Sequence, residues 1–307
     1  MKKSNVKEKS LILQIMEVEK IANLTKFKRL LHHPLKYTFA IMFNHLIYRK
    51  SQREIKVDAT LFYKKKMKIA LPASTDIYLT GGKSHSSEIR LAKFIIINLQ
   101  KGNHFLDIGA HFGYFTLLAS EIVGTEGKVL AFEPARKSYE ILLENCSRIN
   151  SISTFPKAVS DTNEDIIFYE FPNLYSEYNS SDVTQFESES WFSHSKPKKI
   201  EVQATTISDI ANENFNPSII KIDVEGSEYK VIKGGAKYLE NHSPYVVMEY
   251  LEPRRDNKNH VKARELLKKL GYEPHIINQN GQLEAIENID SYLIDNNLES
   301  DNIVFRK

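Results

Sequence analysis

Between Asp107 and Gly113 the chain carries a carboxylate, two glycines and a histidine in the order Asp-Ile-Gly-Ala-His-Phe-Gly, and the next apolar run closes on an acid, Glu133. Glycines let a backbone approach a ligand with no Cβ in the way, and a helix starting at Gly113 would present unpaired N–H groups and the positive end of its dipole. Glu133 could accept hydrogen bonds from both hydroxyls of a ribose. Together these residues suit an adenosine-containing cofactor. A dinucleotide would need a second glycine where His111 stands, because a pyrophosphate requires close backbone contact. Asp107 would also repel phosphate and attract an ammonium. S-adenosylmethionine carries an ammonium, a carboxylate and a sulfonium but no phosphate, so the charge pattern favours this donor over a dinucleotide. The expected donor-binding residues are Asp107, Gly109, Ala110, His111, Gly113 and Glu133, with His111 a turn residue rather than a base.

A second group of acids follows the apolar run Ser218–Ile222. Asp223 and Glu225 alternate, so on an extended strand they share a face. Charges beside a cofactor are costly unless they serve a ligand or a cation. Asp223 is the first choice for a general base or for a group that positions the acceptor; Glu225 and Glu249 are expected to share in this chemistry. The plainer alternative places Glu225 and Glu228 at a helix start, where the dipole favours them. Spacing gives no closed ligand set, so no metal is predicted. Cys146 lies on the apolar face Tyr139–Leu142–Leu143–Cys146–Ile149 and reads as a structural thiol.

These residues need elements to hold them. Phe105–Ile108 and Val129–Phe132 read as strands around a helix over Phe115–Ile122, with another helix over Glu88–Leu99. Ile152–Val159 suits a third strand, and Ile166–Phe171 could pair with Lys199–Thr206. Ser218–Asp223 and Tyr245–Tyr250 are further buried strands, each followed by a helical pattern, the second ending near Gly271. Tyr272–Ile277 and Ile303–Arg306 would close the sheet. Strands alternating with helices imply an α/β fold with a mostly parallel, doubly wound sheet, and ligands of such sheets sit beyond the strand C-termini, where every acid singled out falls. Residues 172–197, with Tyr175, Tyr178, Trp191 and Phe192, read as a substrate lid. Residues 1–60 look helical and basic, and Phe62–Tyr63 and Ile69–Pro72 suggest a hairpin. The expected division is an appendage over 1–82 and a catalytic domain over 83–307.

The formal net charge of +3 on 307 residues and the scattered basic runs Lys64–Lys66 and Lys196–Lys199 argue against a nucleic-acid groove. One cysteine excludes an intramolecular disulfide. Leu11–Met16 is too short for a signal-peptide core, and Tyr37–Tyr48 is too short to span a bilayer. The latter, flanked by Lys26, Lys28, Arg29, Arg49 and Lys50, could lie in a membrane interface, but a helix packed on the body of an appendage is the preferred reading. A cytoplasmic location is expected.

The blocks DIGAHFGYFTLLAS, AFEP, KAVSD and IIKIDVEGSEYKVIKGG, in this order and spacing, resemble the FkbM-type S-adenosylmethionine-dependent methyltransferases. The resemblance covers about residues 85 to 250. It implies a Rossmann-like class I methyltransferase fold with a seven-stranded sheet, adenine contact by Ser160 and Asp161, and O-methylation of a hydroxyl on a sugar, glycan or small natural product. Base-directed amino methyltransferases resemble one another in an Asn/Asp-Pro-Pro-aromatic turn after the fourth strand; Asp223-Val224-Glu225-Gly226 lacks it. The competing readings are a nucleotide-dependent oxidoreductase and a cofactor-binding protein without catalysis.

Overall fold

The computed structural model describes residues 6–181, 183, 192 and 196–307. Its centre is an eight-stranded sheet. Strands β3 (His104–Ile108), β4 (Lys128–Phe132), β5 (Ile152–Phe155), β9 (Ile219–Ile222) and β10 (Tyr245–Leu251) run parallel in the spatial order β5-β4-β3-β9-β10. Strand β13 (Ser300–Arg306) inserts antiparallel between β10 and β11 (Glu273–Ile277), and a short β12 (Leu283–Ala285) pairs on the outer edge of β11. The seven expected strands are therefore joined by an eighth, β12, whose three residues carry too little apolar signal to read from sequence. β3, β4, β9 and β10 are near-continuous apolar runs because helices cover both faces of the sheet.

Helices α6 (Ser86–Asn98), α7 (Tyr114–Val123) and α8 (Arg136–Cys146) pack on one face with Phe94, Leu117, Leu118 and Leu142 buried among them. The other face is covered by α10 (Glu228–Asn241), α11 (Lys258–Lys269) and α12 (Ile289–Asp295), through Val231, Ile232, Leu267 and Leu293. Gly271 follows α11 with φ +87°, in the left-handed conformation that ends helices.

The expected third strand is in fact two. β5 ends at Phe155, and β6 (Ala158–Val159) leaves the main sheet to pair with β8 (Lys198–Thr205), which also pairs antiparallel with β7 (Asp165–Glu170). Pro156 falls between them, where a central strand would need its N–H. A four-residue helix α9 (Ile207–Ile210) follows β8.

The N-terminal region is α1 (Val6–Ala22), α2 (Lys26–His32), α3 (Pro34–Met42), a π-helical turn over Phe43–Tyr48, a short α4 (Arg49–Ser51), the hairpin β1 (Ile55–Thr60) and β2 (Lys66–Leu71), and α5 (Thr75–Thr80). Residues 55–60 are thus a strand rather than part of a helical run, and Phe62–Tyr63 form the hairpin's turn. α1 lies on α6: Leu11, Ile15 and Val18 are buried in the same apolar cluster as Phe94 and Leu117, and Lys93 bonds Glu19 at 2.7 Å. The Asn145 side chain, on α8, accepts the Lys68 N–H at 2.7 Å and donates to the carbonyls of Lys68 and Phe112, both at 2.9 Å. It therefore ties β2 to the glycine turn.

Candidate active site

The two motifs meet at the carboxyl ends of β3 and β9. The N–H groups of Gly109 and Ala110 both donate to Phe132 O at 3.0 Å, which folds the turn against the end of β4. Gly109 has φ +78°, and a Cβ built on it would lie 1.7 Å from Asp223 O, so the two turns touch backbone to backbone. His111 takes a left-handed φ of +49°, a conformation that histidine adopts more readily than bulkier residues. The second turn does the same with Glu225, φ +52°, and Gly226, φ +94°.

A cavity of about 350 Å³ opens at this junction. Gly109, His111 and Glu133 form one wall and Asp223, Glu225 and Glu249 the other; Asp76, Lys83, Glu88, Glu177, Arg255 and Ser300 complete it. Asp107, Gly113, Ser160 and Asp161 are not on this wall, and Ala110 lines only a small void of about 20 Å³ behind the turn. Asp107 is buried: its carboxylate accepts from Thr116 at 2.6 Å and lies 3.5 Å from the ammonium of Lys221, its cross-strand neighbour. Gly113 caps α7 with φ +91°. Asp161 pairs with Lys233 at 2.8 Å, and Ser160 donates to Asp161. Beside Glu133 a narrow apolar slot is lined by Phe132, Pro134, Val159 and Phe168.

Reasoning from sequence missed Lys221, a cation inside the apolar run Ile219–Ile222, which was itself the signal. Lys83, Asp76, Glu88 and Arg255 come from elements outside both motifs and left no local mark.

Burial governs the titration of these groups. It pushes Glu133 up to about 7, although the N–H groups of Ala135 and His111, donating to the two carboxylate oxygens at 2.9 and 2.8 Å, draw it back. Burial and the nearby Lys83 push His111 down to about 3, so its ring is neutral; Nε2 meets Ser176 Oγ at 2.9 Å. For Asp223 burial opposes ionisation, but Lys221, at 3.1 Å, and Lys83 outweigh it and hold the carboxyl below its ordinary range. Burial and the Asp223 charge raise Glu249 to about 8, while burial and Glu249 raise Glu225 well above the usual carboxylate range. The wall thus sets one carboxyl that its cations keep ionised against two whose ionisation burial and like charge oppose, an arrangement that separates roles among similar side chains. Carboxylate oxygens of Asp223, Glu225 and Glu249 lie within 4.8 Å of one another, close enough to accept one shared cation.

The described part of the long insertion lies over the cavity. Ser176, Glu177 and Asn179 line it, and Ser180 donates to Glu225 O at 2.5 Å. Of the aromatic residues singled out there, Trp191 falls outside the described residues.

Residues 107–274 match the model of the methyltransferase FkbM domain, a span of more than half the chain. The chain belongs to the FkbM methyltransferase family. FkbM methyltransferases draw their methyl group from S-adenosylmethionine, the donor expected from the turn. Residues 46–159 also match the model of the protein-L-isoaspartate(D-aspartate) O-methyltransferases. Among individual proteins, this FkbM chain is 25% identical over 165 residues to methyltransferase sdnD of Sordaria araneosa, covering 45% of this chain and 62% of that one. It is 27% identical over 122 residues to a protein of Thermoplasma volcanium named "Probable cobalt-precorrin-6B C(15)-methyltransferase (decarboxylating)", covering 36% and 61%. The chain thus spans about three fifths of the length of these curated relatives. A solved structure, methyltransferase FkbM of Methylobacillus flagellatus, is similar at 13% identity and a TM-score of 0.40 over 76% of this chain and 53% of that one.

Proposed function

We propose that this FkbM-family chain transfers the methyl group of S-adenosylmethionine to a hydroxyl of a sugar, glycan or small natural product. The observation that carries the reading is the wall of three acids, Asp223, Glu225 and Glu249, facing the glycine turn across one cavity; Lys221 and Lys83 favour ionisation of the first, and burial opposes it in the other two. The residues also fit the donor. Each Glu133 oxygen accepts one backbone N–H and keeps a second lone pair for a ribose hydroxyl. The apolar slot beside Glu133, about 20 Å³ as it stands, would have to widen to admit a flat base, and Ser160 and Asp161 do not line it. Seven acidic side chains face Lys83 and Arg255 around the cavity, and even with several of them partly protonated the lining suits a sulfonium better than a phosphate.

When bound, S-adenosylmethionine supplies an electrophilic methyl group on sulfur. What remains for the protein is alignment, exclusion of water and removal of one proton. Asp223, ionised, would accept a hydrogen bond from a second hydroxyl of the acceptor and so aim the reacting oxygen at the methyl group. Glu249, in the ionised form that grows through its pKa of about 8, would take the proton of the reacting hydroxyl at a carboxylate oxygen, and Glu225 would hold a neighbouring hydroxyl. Asp107 would act from beneath, fixing the turn through Thr116 and Lys221 rather than touching the donor.

Calorimetric titration with S-adenosylmethionine, using NADH as the contrasting ligand, tests the donor half. One-to-one binding of S-adenosylmethionine alone, weakened at least tenfold by Glu133→Ala, is expected; binding of NADH alone would overturn the reading. Release of S-adenosylhomocysteine across a panel of polyols and glycosides, with and without Mg²⁺, then tests the acceptor. Asp223→Asn and Glu249→Gln should each lower turnover on an accepted substrate about a hundredfold while donor affinity holds.

A further inference from the structure

The N-terminal helices do not pack as a closed appendage. α2 buries no residue, and α3 with its π-helical extension is held to the body through Ala40, Phe43 and Tyr48 alone among its buried positions. Leu30 and Tyr37 are half-buried, but five other large apolar side chains are turned outward: Phe27 is 68% exposed, Leu31 64%, Leu35 87%, Met42 51% and Leu46 56%. Leu35, Phe39, Met42 and Leu46 recur at i, i+4, i+7 and i+11, so they form one stripe along a continuous helical run. The π-helical turn is what divides this run into two faces, keeping Tyr48 inward, where its hydroxyl accepts the Leu174 N–H at 3.2 Å, while Leu46 and Ile47 point out.

The charge on the same stretch is one-sided. Between Ile21 and Arg53 there are seven lysines and arginines and no aspartate or glutamate. None of the seven forms an ion pair with a carboxylate among the described residues; Lys26, Lys28, Arg49 and Lys50 are exposed. Isolated apolar residues on a surface need no explanation, but a stripe of this size rimmed by cations does. No helix among the described residues is long and apolar enough to cross a membrane, so the stripe can lie on a bilayer but not through it.

We propose that residues 26–50 form an interfacial docking surface for an anionic lipid bilayer, with Leu31, Leu35, Met42 and Leu46 entering the acyl boundary and Lys26, Lys28, Arg49 and Lys50 meeting lipid phosphates. Charge decides between this occupant and a second copy of the chain. A two-fold contact would lay the same cation-rich face against itself, whereas an anionic leaflet neutralises it. The surface adjoins the cavity: Phe39 lies against Tyr78, with ring centroids 6.3 Å apart, on the α5 helix that supplies Asp76 to the cavity wall. Two of the cations are engaged by the protein instead: Lys36 turns inward to Tyr78 O at 3.4 Å, and Arg29 Nε donates to Leu24 O at 2.9 Å.

Sedimentation of the full chain with phosphatidylcholine vesicles, and with phosphatidylcholine vesicles containing phosphatidylglycerol, tests the proposal. Binding to the anionic vesicles alone, falling with added salt, is expected. Lys26→Ala and Lys28→Ala should each weaken it about fivefold, and Leu35→Glu combined with Leu46→Glu should abolish it. These positions are exposed, so thermal melting and S-adenosylmethionine binding of the variants should match the parent and so exclude misfolding. Absence of binding to either vesicle, or equal binding to both, would overturn the proposal. So would a concentration-dependent dimer, broken by Leu35→Glu, in a chain that ignores vesicles.

Discussion

Glu133 sits where two demands meet: its oxygens already receive two backbone N–H groups, and burial lifts its pKa to about 7. Ribose hydroxyls donating to it would favour the ionised form, so the donor binds the deprotonated site better. Affinity for S-adenosylmethionine should therefore rise as pH climbs from 6 towards 8 and then level. Calorimetry across that range would show it, and Glu133→Gln should flatten the profile. Glu249 predicts a second limb. It must be ionised to take a proton, so turnover should increase through about pH 8, and Glu249→Gln should remove that rise. Glu133 was legible because it follows the apolar run of β4, and Glu249 because it interrupts the apolar strand β10 two residues before its end. Their surroundings were not. Glu88 reaches the cavity from α6 and Lys83 from the loop before it, and the inward turn of Asp107 follows from its cross-strand pairing with Lys221, a residue far away in sequence on β9.

Among the elements, β3 and β9 are bound by more than their ladder. A methyl group on Gly109 would meet Asp223 O at 1.7 Å in a backbone that already needs φ +78°, so Gly109→Ala should separate the two turns and cost on the order of 3 kcal/mol in urea unfolding. Lys221→Met keeps the length of the side chain but strands Asp107 beside Asp223, and should cost about 3–5 kcal/mol near neutral pH. The parallel strands were readable as continuous apolar runs, and the pairing expected between Ile166–Phe171 and Lys199–Thr206 is the β7–β8 ladder. Where sequence reading slipped, one stretch had two outcomes: Ile152–Val159 reads as a single strand, but Pro156 separates Ile152–Phe155, paired with β4, from Ala158–Val159, paired with β8. The basic stretch before Glu54 suggested helix up to residue 60, whereas the alternation in Ile55–Thr60 builds a strand against β2.

At the scale of the molecule, α1 and the hairpin share one apolar cluster with α6, α7 and α8. Heating should give one transition, and Ile15→Ala, at a fully buried position, should lower the stability of the whole by about 2–5 kcal/mol. Two separated melting steps would instead mark residues 1–82 as a unit that folds alone. The part least legible in sequence was what the outer helices do with their apolar residues, since amphipathic spacing says that a face is apolar but not which body it meets. Asn145 gives this joined architecture a reporter. The Lys68 amide can exchange with solvent only when its bond to Asn145 opens, and the same side chain grips the Phe112 carbonyl of the donor turn. Any ligand that stiffens the turn should therefore slow deuterium uptake in the middle of β2, on a strand that never touches it. That signal would allow ligands to be screened before a methylated product has been identified.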